Sequence, residues 1–267
     1  MKKVVWVTLT MIVPSVLILS GCAKPAPSPA PTPTPTPSPT QPKPPAPTPD
    51  YGGTVKIKWL GHAAFVIISQ AGTKIITDPY APSDRLTYAP VNESADIVTV
   101  SHDHSDHNNV AAVGGNPQVV RGTTEVKGIK FKGIPSYHDQ SQGKQRGNNT
   151  IISFEVDGLR LVHLGDLGHL LDDKQVAEIG KVDILLIPVG GNYTIDASVA
   201  TQVYEQLKPR VIVPMHYRTD RCTLPIADVD EFLKGKRNVT RLETSEMEFK
   251  AAGLPSDMQI IVFKPSR

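Results

Sequence analysis

The chain has 267 residues, a formal charge of +2, 20% charged residues and 25 prolines. Its first fifty residues hold four lysines and one aspartate, so the remainder carries −1 and offers no basic excess for nucleic acid. With only Cys22 and Cys222, a disulfide framework is excluded, and the fold must rest on its core or on metal.

Taken in order, the chain opens on a secretory signal. Lys2 and Lys3 form a basic n-region, and Val4 to Leu19 is an apolar stretch too short and wrongly flanked for a stable spanning helix. Leu19-Ser20-Gly21-Cys22 closes it and resembles the bacterial lipoprotein signal, which implies that Cys22 is lipidated and becomes the new N-terminus of an exported, membrane-anchored protein. A membrane anchor that is never cleaved is the alternative, and it leaves the protein at the same surface. From Ala23 to Asp50 the chain is mostly Pro, Thr, Ala and Ser, with proline at every second position from Pro25 to Pro39. Proline fixes φ and removes a donor, so residues 23–50 favour polyproline II and read as a spacer reaching roughly 85 Å when fully extended. Residues 1–22 are thus a signal, 23–50 a spacer and 51–267 one α/β domain.

Within that domain, Val55 to Trp59 alternates as an edge or half-buried strand. Gly61-His62 turns into a second strand, Phe65 to Ser69, and Lys74 to Thr77 makes a third, ending at Asp78-Pro79. Residues 80 to 94 form a Pro-, Ser- and Asn-rich loop. Ala95 to Val100 is apolar and β-branched, a buried strand. Short strands follow at Gln118 to Arg121 and Glu125 to Ile134. Ile151 to Val156 and Leu159 to His163 flank an Asp157-Gly158 hairpin turn. The rhythm then becomes β-α-β, with helices at Asp172 to Ile179, Ala197 to Leu207 (capped by Thr194 or Asp196) and Ile226 to Leu233. Buried strands fill Asp183 to Val189 and Val211 to Met215, and Gln259 to Phe263 is the last strand. Early hairpins and late β-α-β units predict two sheets packed together with helices outside.

The chemistry concentrates in Ser101-His102-Asp103-His104-Ser105-Asp106-His107, at the end of a strand. While the chain is extended His102 and His104 share a face, and Asp106 and His107 follow in a tighter turn. Neutral imidazoles with an ionised carboxylate are the donors that borderline divalent cations prefer, zinc above all. Three other apolar strands run into a possible ligand: Ile134 before His138, Leu161-Val162 before Gly165-Asp166, and Val211 to Val213 before His216. A lone His138 or His216 would be read as structural. Their place at strand ends beside a complete cluster makes them ligand candidates.

Together these residues resemble the metallo-β-lactamase superfamily, over nearly all of 51–267. His-x-His-x-Asp-His is matched in full at His102, His104, Asp106 and His107, and the lone His, Gly-Asp turn and final His follow in the expected order. Gly61-His62, His163-Leu164-Gly165-Asp166, Gly191-Asn192-Tyr193-Thr194 and Pro214-Met215-His216-Tyr217 look most like the lactonase-like, ascorbate-6-phosphate-lactonase-related hydrolases. The resemblance implies an αββα sandwich. It also implies a dinuclear site in which His102, His104 and His138 hold one cation, Asp106, His107 and His216 the second, and Asp166 bridges them. Zinc is the first choice of metal, with manganese or iron as alternatives. The implied reaction is attack by a metal-bound hydroxide on an ester, lactone or phosphoester, with Asp166 aiding the leaving group.

Other residues carry weaker signals. His62 resembles an extra histidine facing the metals, able to bind substrate or shuttle a proton, and equally fits a satisfied core histidine. Asp78 resembles an aspartate that braces the ligand loop. Asp103 is expected to bond the loop backbone, His163 to be packed, His169 to be an exposed loop histidine and Cys222 to be a buried thiol. Asn192 and Tyr193 sit on a turn opening a helix, where backbone N–H groups could meet an anionic substrate. The partner is a small-molecule substrate, with membrane contact only through the lipid. Two other readings stay open: a phosphodiesterase or phospholipase-like hydrolase near lipid headgroups, and a non-catalytic metal-binding surface lipoprotein.

Overall fold

A computed structural model of the chain describes residues 53–266. The signal at 1–22, the lipidation of Cys22 and the spacer at 23–50 lie outside the described residues. Two mixed sheets carry the fold. One has six strands: β1 (Thr54–Gly61), β2 (Ala64–Ile68), β3 (Lys74–Thr77), β4 (Ser94–Thr99), β5 (Gly114–Val120) and β13 (Glu246–Lys250), in the order β13-β1-β2-β3-β4-β5. The other has eight: β6 (Thr124–Val126), β7 (Ile129–Tyr137), β8 (Asn148–Val156), β9 (Leu159–His163), β10 (Ile184–Pro188), β11 (Val211–Met215), β12 (Val239–Arg241) and β14 (Gln259–Val262), in the order β12-β14-β11-β10-β9-β8-β7-β6. Three helices complete it: α1 (Asp173–Ile179), α2 (Ala197–Leu207) and α3 (Val229–Leu233). None of the helices among the described residues is long and apolar enough to cross a membrane.

The period of two decides which face each residue takes. In the six-stranded sheet Val55, Ile57, Trp59, Phe65, Ile67, Ile75 and Ile97 join one core with the eight-stranded sheet. Their neighbours Leu60, Ala64, Val66, Ile76 and Val98 point to the opposite face. That face is covered by Tyr80, Leu86, Tyr88 and Val91 of the loop between β3 and β4 and by Cys222 and Ile226. Three prolines, Pro79, Pro82 and Pro90, keep that loop from becoming a helix. The helices pack instead on the eight-stranded sheet, through Ile179, Ala200, Val203, Leu207 and Phe232.

Local chemistry accounts for the boundaries. Asp172, Asp196 and Asp228 each cap a helix by accepting from the backbone N–H three residues on, so Asp196 rather than Thr194 caps α2. The third helix begins at Val229, three residues later than the apolar pattern from Ile226 suggests, because Asp228 caps it there. The β8–β9 hairpin turns at Asp157 and Gly158, both with positive φ (47° and 78°), as a two-residue turn between twisted strands demands. β1 alternates in burial as expected, but it is an interior strand, flanked by β2 and β13. The covering strand β13, Glu-Met-Glu-Phe-Lys, buries only Phe249 and so carries little apolar signal.

Candidate metal centre

Six strands end where the site begins. In the six-stranded sheet β1, β3 and β4 run in one direction, and in the other β7, β9 and β11 do, since each neighbouring antiparallel strand reverses the chain. His62 follows β1, Asp78 follows β3, the 102–107 loop follows β4, His138 follows β7, Asp166 follows β9 and His216 follows β11. Loops on the ends of rigid strands can thereby place side chains from distant sequence at one point.

Asp166 is that point. Its Oδ2 lies 3.1 Å from His138 Nε2 and 3.3 Å from His216 Nε2, and its Oδ1 lies 3.2 Å from His107 Nε2. His102 Nε2 stands 3.9 Å from Oδ2 and 3.1 Å from His104 Nδ1. His62 Nε2 faces Asp106 Oδ2 at 3.3 Å, and its ring centroid is 4.0 Å from that of His216. All seven expected ligands are brought together, with His62 beside them. Donor atoms cluster as His102, His104 and His138, as His62, Asp106, His107 and His216, and as Asp78, His102 and His107.

The surroundings fix these side chains. Asp78 Oδ2 accepts from His107 Nδ1 (2.9 Å) and from Ser101 Oγ (2.5 Å), and Oδ1 accepts from Ser101 N (2.8 Å). With its Nδ1 hydrogen given to Asp78, His107 presents Nε2 to Asp166 Oδ1, leaving that nitrogen as the one a metal would take once its proton is displaced. Asn149 Oδ1 accepts from Asp166 N, while its Nδ2 donates to Leu164 O and Ser136 Oγ. Gly165 precedes Asp166 at φ +56°, and a Cβ there would lie 2.3 Å from Asn149 Oδ1. His62 (φ 52°), Asp78 (φ 36°) and His216 (φ 52°) also adopt left-handed backbone, a strain that clusters at functional sites. Asp139, just after His138, accepts from the backbone N–H of Ser141, Gly143, Gln145 and Arg146, which folds the next loop tightly.

Asp139 and Asn149 carry no ligand pattern in the sequence. The only cue for Asp139 is its place before a polar, Gly-containing loop, where an aspartate often nucleates a turn. Asp103 differs from expectation: it is exposed and accepts from Arg121 Nη1 (2.7 Å) and Asn108 Nδ2 (3.1 Å), both side chains rather than loop backbone. His163 is packed, with Nε2 on Ala63 O and Nδ1 accepting from Gly165 N. His169 is half-buried and accepts from Tyr137 N, away from the ligands. Cys222 is a buried free thiol. Tyr193 lines a cavity of about 390 Å³ with Arg146, Leu224 and five of the expected ligands (His104, Asp106, His138, Asp166 and His216), whereas Asn192 is not among its lining residues.

Electrostatics follow from burial and proximity. Burial would raise the Asp166 carboxyl, but the imidazoles of His107, His216 and His138 close around it hold it well below its usual range. Burial likewise opposes ionisation of Asp78, yet His163 and His107 keep it lowered. Burial pushes His62 down to about 4 and His102 to about 3, helped by neighbouring histidines, so both are neutral at pH 7. His107 is the opposite: despite burial, Asp166 and Asp78 raise it well above the ordinary value. A cation reaching its Nε2 would compete with that proton.

The donor set fits a metal. Buried side-chain atoms without a hydrogen-bond partner among the described residues include His107 Nε2, Asp166 Oδ1, His62 Nδ1, His138 Nδ1 and His216 Nδ1, all in this cluster. Orphaned buried nitrogen and oxygen are costly unless something else satisfies them, and imidazole with carboxylate is zinc-type ligation.

A family model described as a β-lactamase superfamily domain matches residues 56–216. A UPF0173 metal-dependent hydrolase of Thermococcus onnurineus is 34% identical over 209 residues, covering 67% of this chain and 91% of that protein. A second, from Carboxydothermus hydrogenoformans, is 34% identical over 207 residues, covering 67% and 90%. Among solved structures, a Thermotoga maritima chain described as a Zn-dependent hydrolase of the metallo-β-lactamase superfamily is 38% identical with TM-score 0.65, covering 78% of this chain and 97% of that one. The chain belongs to the metallo-β-lactamase superfamily, among the UPF0173 metal-dependent hydrolases.

Proposed function

We propose that this superfamily member is a dinuclear hydrolase of esters, lactones or phosphoesters, anchored outside the cytoplasmic membrane by a lipidated Cys22. His102, His104 and His138 would hold one cation, Asp106, His107 and His216 the other, with Asp166 between them. The observation that carries this reading is the carboxylate of Asp166, met by Nε2 of His107, His138 and His216 within 3.3 Å, from three separate strand ends. Zinc is the favoured metal, since the donors are imidazoles and carboxylates and the related Thermotoga maritima chain is described as Zn-dependent.

Bound there, divalent cations supply a nucleophile near neutral pH and stabilise the negative charge that develops on the substrate. The chain's own residues do the rest. Asp78 orients His107 through Nδ1. Asp166, kept ionised, is the proton acceptor closest to the centre of the cluster: it would take a proton from the attacking water and pass that proton to the leaving oxygen as the ester bond breaks. His62 bonds Asp106 Oδ2 and so sets the angle of that carboxylate; with Nδ1 unpartnered it can also move a proton. The strain at His62 and His216 supports a functional place for both. The anchor reading rests on the signal-like residues 1–22, and the spacer at 23–50 would hold the domain away from the lipid.

The test is hydrolysis of a panel of 4-nitrophenyl esters, a γ-lactone and bis(4-nitrophenyl) phosphate by the full-length protein, with and without chelator. Turnover of at least one class that chelator abolishes and added zinc restores is expected. Turnover indifferent to chelator would refute the metal-centred reading.

A further inference from the structure

The cavity beside the ligands has one feature that hydrolysis alone does not require. Arg146 lines it together with Asp106, Asp166 and His216, and its guanidinium lies 5.5 Å from the ring centroid of Tyr193. The other paired arginines show what is unusual about it. Arg121, Arg160, Arg218, Arg221 and Arg241 each hold a carboxylate, from Asp103, Glu155, Asp228, Asp220 and Asp230. Among the described residues the guanidinium of Arg146 pairs with none; its side-chain partner is the π-face of Tyr193. An arginine stacked on an aromatic ring keeps its five N–H donors free in a fixed plane, the arrangement suited to a bidentate oxyanion.

The backbone under this side chain is held firmly. Asp139 Oδ2 accepts from Arg146 N at 2.8 Å, and the same carboxylate gathers the N–H groups of Ser141, Gly143 and Gln145. His138 N donates to Gly147 O at 3.1 Å, closing the loop at its root. The residue next to Arg146 is therefore tied to a candidate ligand. Tyr193 is positioned by its own N–H on Gly191 O, 2.7 Å away, in a turn after β10. The two side chains come from different strand ends and meet on the wall of the cavity.

We propose that Arg146, backed by Tyr193, is the specificity-determining residue that binds an anionic substituent of the substrate, a carboxylate or phosphate carried near the scissile bond. This deepens the hydrolase reading above and rests on it. The preferred substrates are then acidic esters, lactones or phosphoesters rather than neutral ones.

The experiment compares mono-4-nitrophenyl glutarate with 4-nitrophenyl valerate, alike in length and leaving group but differing by one carboxylate, on the full-length protein. Wild type is expected to prefer the glutarate, and Arg146→Gln to cut the ratio of kcat/KM values by about tenfold or more, mainly through KM. Arg146→Lys restores part of the ratio, because it keeps the charge but not the planar fork. Tyr193→Leu lowers it about threefold by removing the platform. Arg121→Gln, which removes the same charge from the adjoining cavity where Asp103 and Asn108 already occupy it, moves the ratio less than twofold. Calorimetric titration with glutarate reads the same site without turnover, and Arg146→Gln should weaken binding by a similar factor. Absence of glutarate binding to wild type, equal binding to both forms, or an equal shift with Arg121→Gln would overturn the proposal. Chelator-insensitive turnover would sink the hydrolase reading instead, and the titration would still decide the role of Arg146.

Discussion

His107 and His104 stand three residues apart on one loop, yet their surroundings differ. His107 is fully buried, gives Nδ1 to Asp78 and aims Nε2 at Asp166, with the His216 ring stacked and the His62 ring tilted nearby. His104 is exposed, and its Nδ1 meets only His102 Nε2. One half of the cluster is thus braced directly by a buried carboxylate, while the other reaches that carboxylate only through Ser101, whose Oγ lies 2.9 Å from His102 Nδ1, and opens to solvent at His104. Orientation by an outer partner raises both ligand basicity and affinity, so the two halves should hold cations unequally. Asp166, which touches both, is the shared element.

Changes to the shared element come first. Asp166→Ala should lower kcat on the best panel substrate on the order of a thousandfold, because it strips a common ligand and a proton acceptor together. Activity retained within tenfold would break the idea that the halves meet at this carboxylate. Asp78→Asn acts directly on His107 and only through Ser101 on His102. It should weaken the cation at His107 by about ten- to a hundredfold and the other much less, seen as two separated phases in a chelator competition. A single phase would mean that the halves are not distinct.

Acid should reach both halves. His62 (about 4) and His102 (about 3) are depressed, and His104 and His163 are lowered too, so the fold disfavours protons that the unfolded chain binds below about pH 6.5. Their contribution is complete above that pH and is lost as the pH falls toward 4. Asp78 and Asp166, also lowered, act in the same direction at more acid pH. His107 alone works oppositely, stabilising at low pH and losing that as pH rises through its raised value. The Tm of the metal-free protein should therefore drop between pH 6.5 and 4; a rise across that window contradicts the assigned charges. The smallest effect is expected from deleting residues 23–50 while keeping Cys22, which should leave turnover in detergent solution within about twofold. A large loss would show that the spacer serves the site.

The same contrast explains what the sequence discloses. The 102–107 ligands are legible because four donors crowd into six residues after an apolar strand, and His138, Asp166 and His216 because each ends such a strand. The braces are harder to see. Asn149 works through contacts with Asp166 and Leu164, 17 and 15 residues away, and Asp139 works through four backbone N–H groups that any sequence would supply. The role of Asp103 is hidden for a related reason: its partner Arg121 lies 18 residues on, beyond β5. The fold shows the same limit. Val211–Met215 and Leu159–His163 are wholly or largely buried and read cleanly, whereas β12 and β13 bury one residue between them and leave no apolar period.

The central claim is that side chains from separate strand ends share a pair of cations, and metal stoichiometry tests it most directly. Elemental analysis of the full-length protein, beside the double variant His102→Ala, His104→Ala with its circular dichroism spectrum, is the decisive measurement. Close to two zinc ions per chain in the wild type, falling to one or fewer in a variant that keeps its secondary structure, is the expected result. Unchanged metal content in the folded double variant would contradict the account.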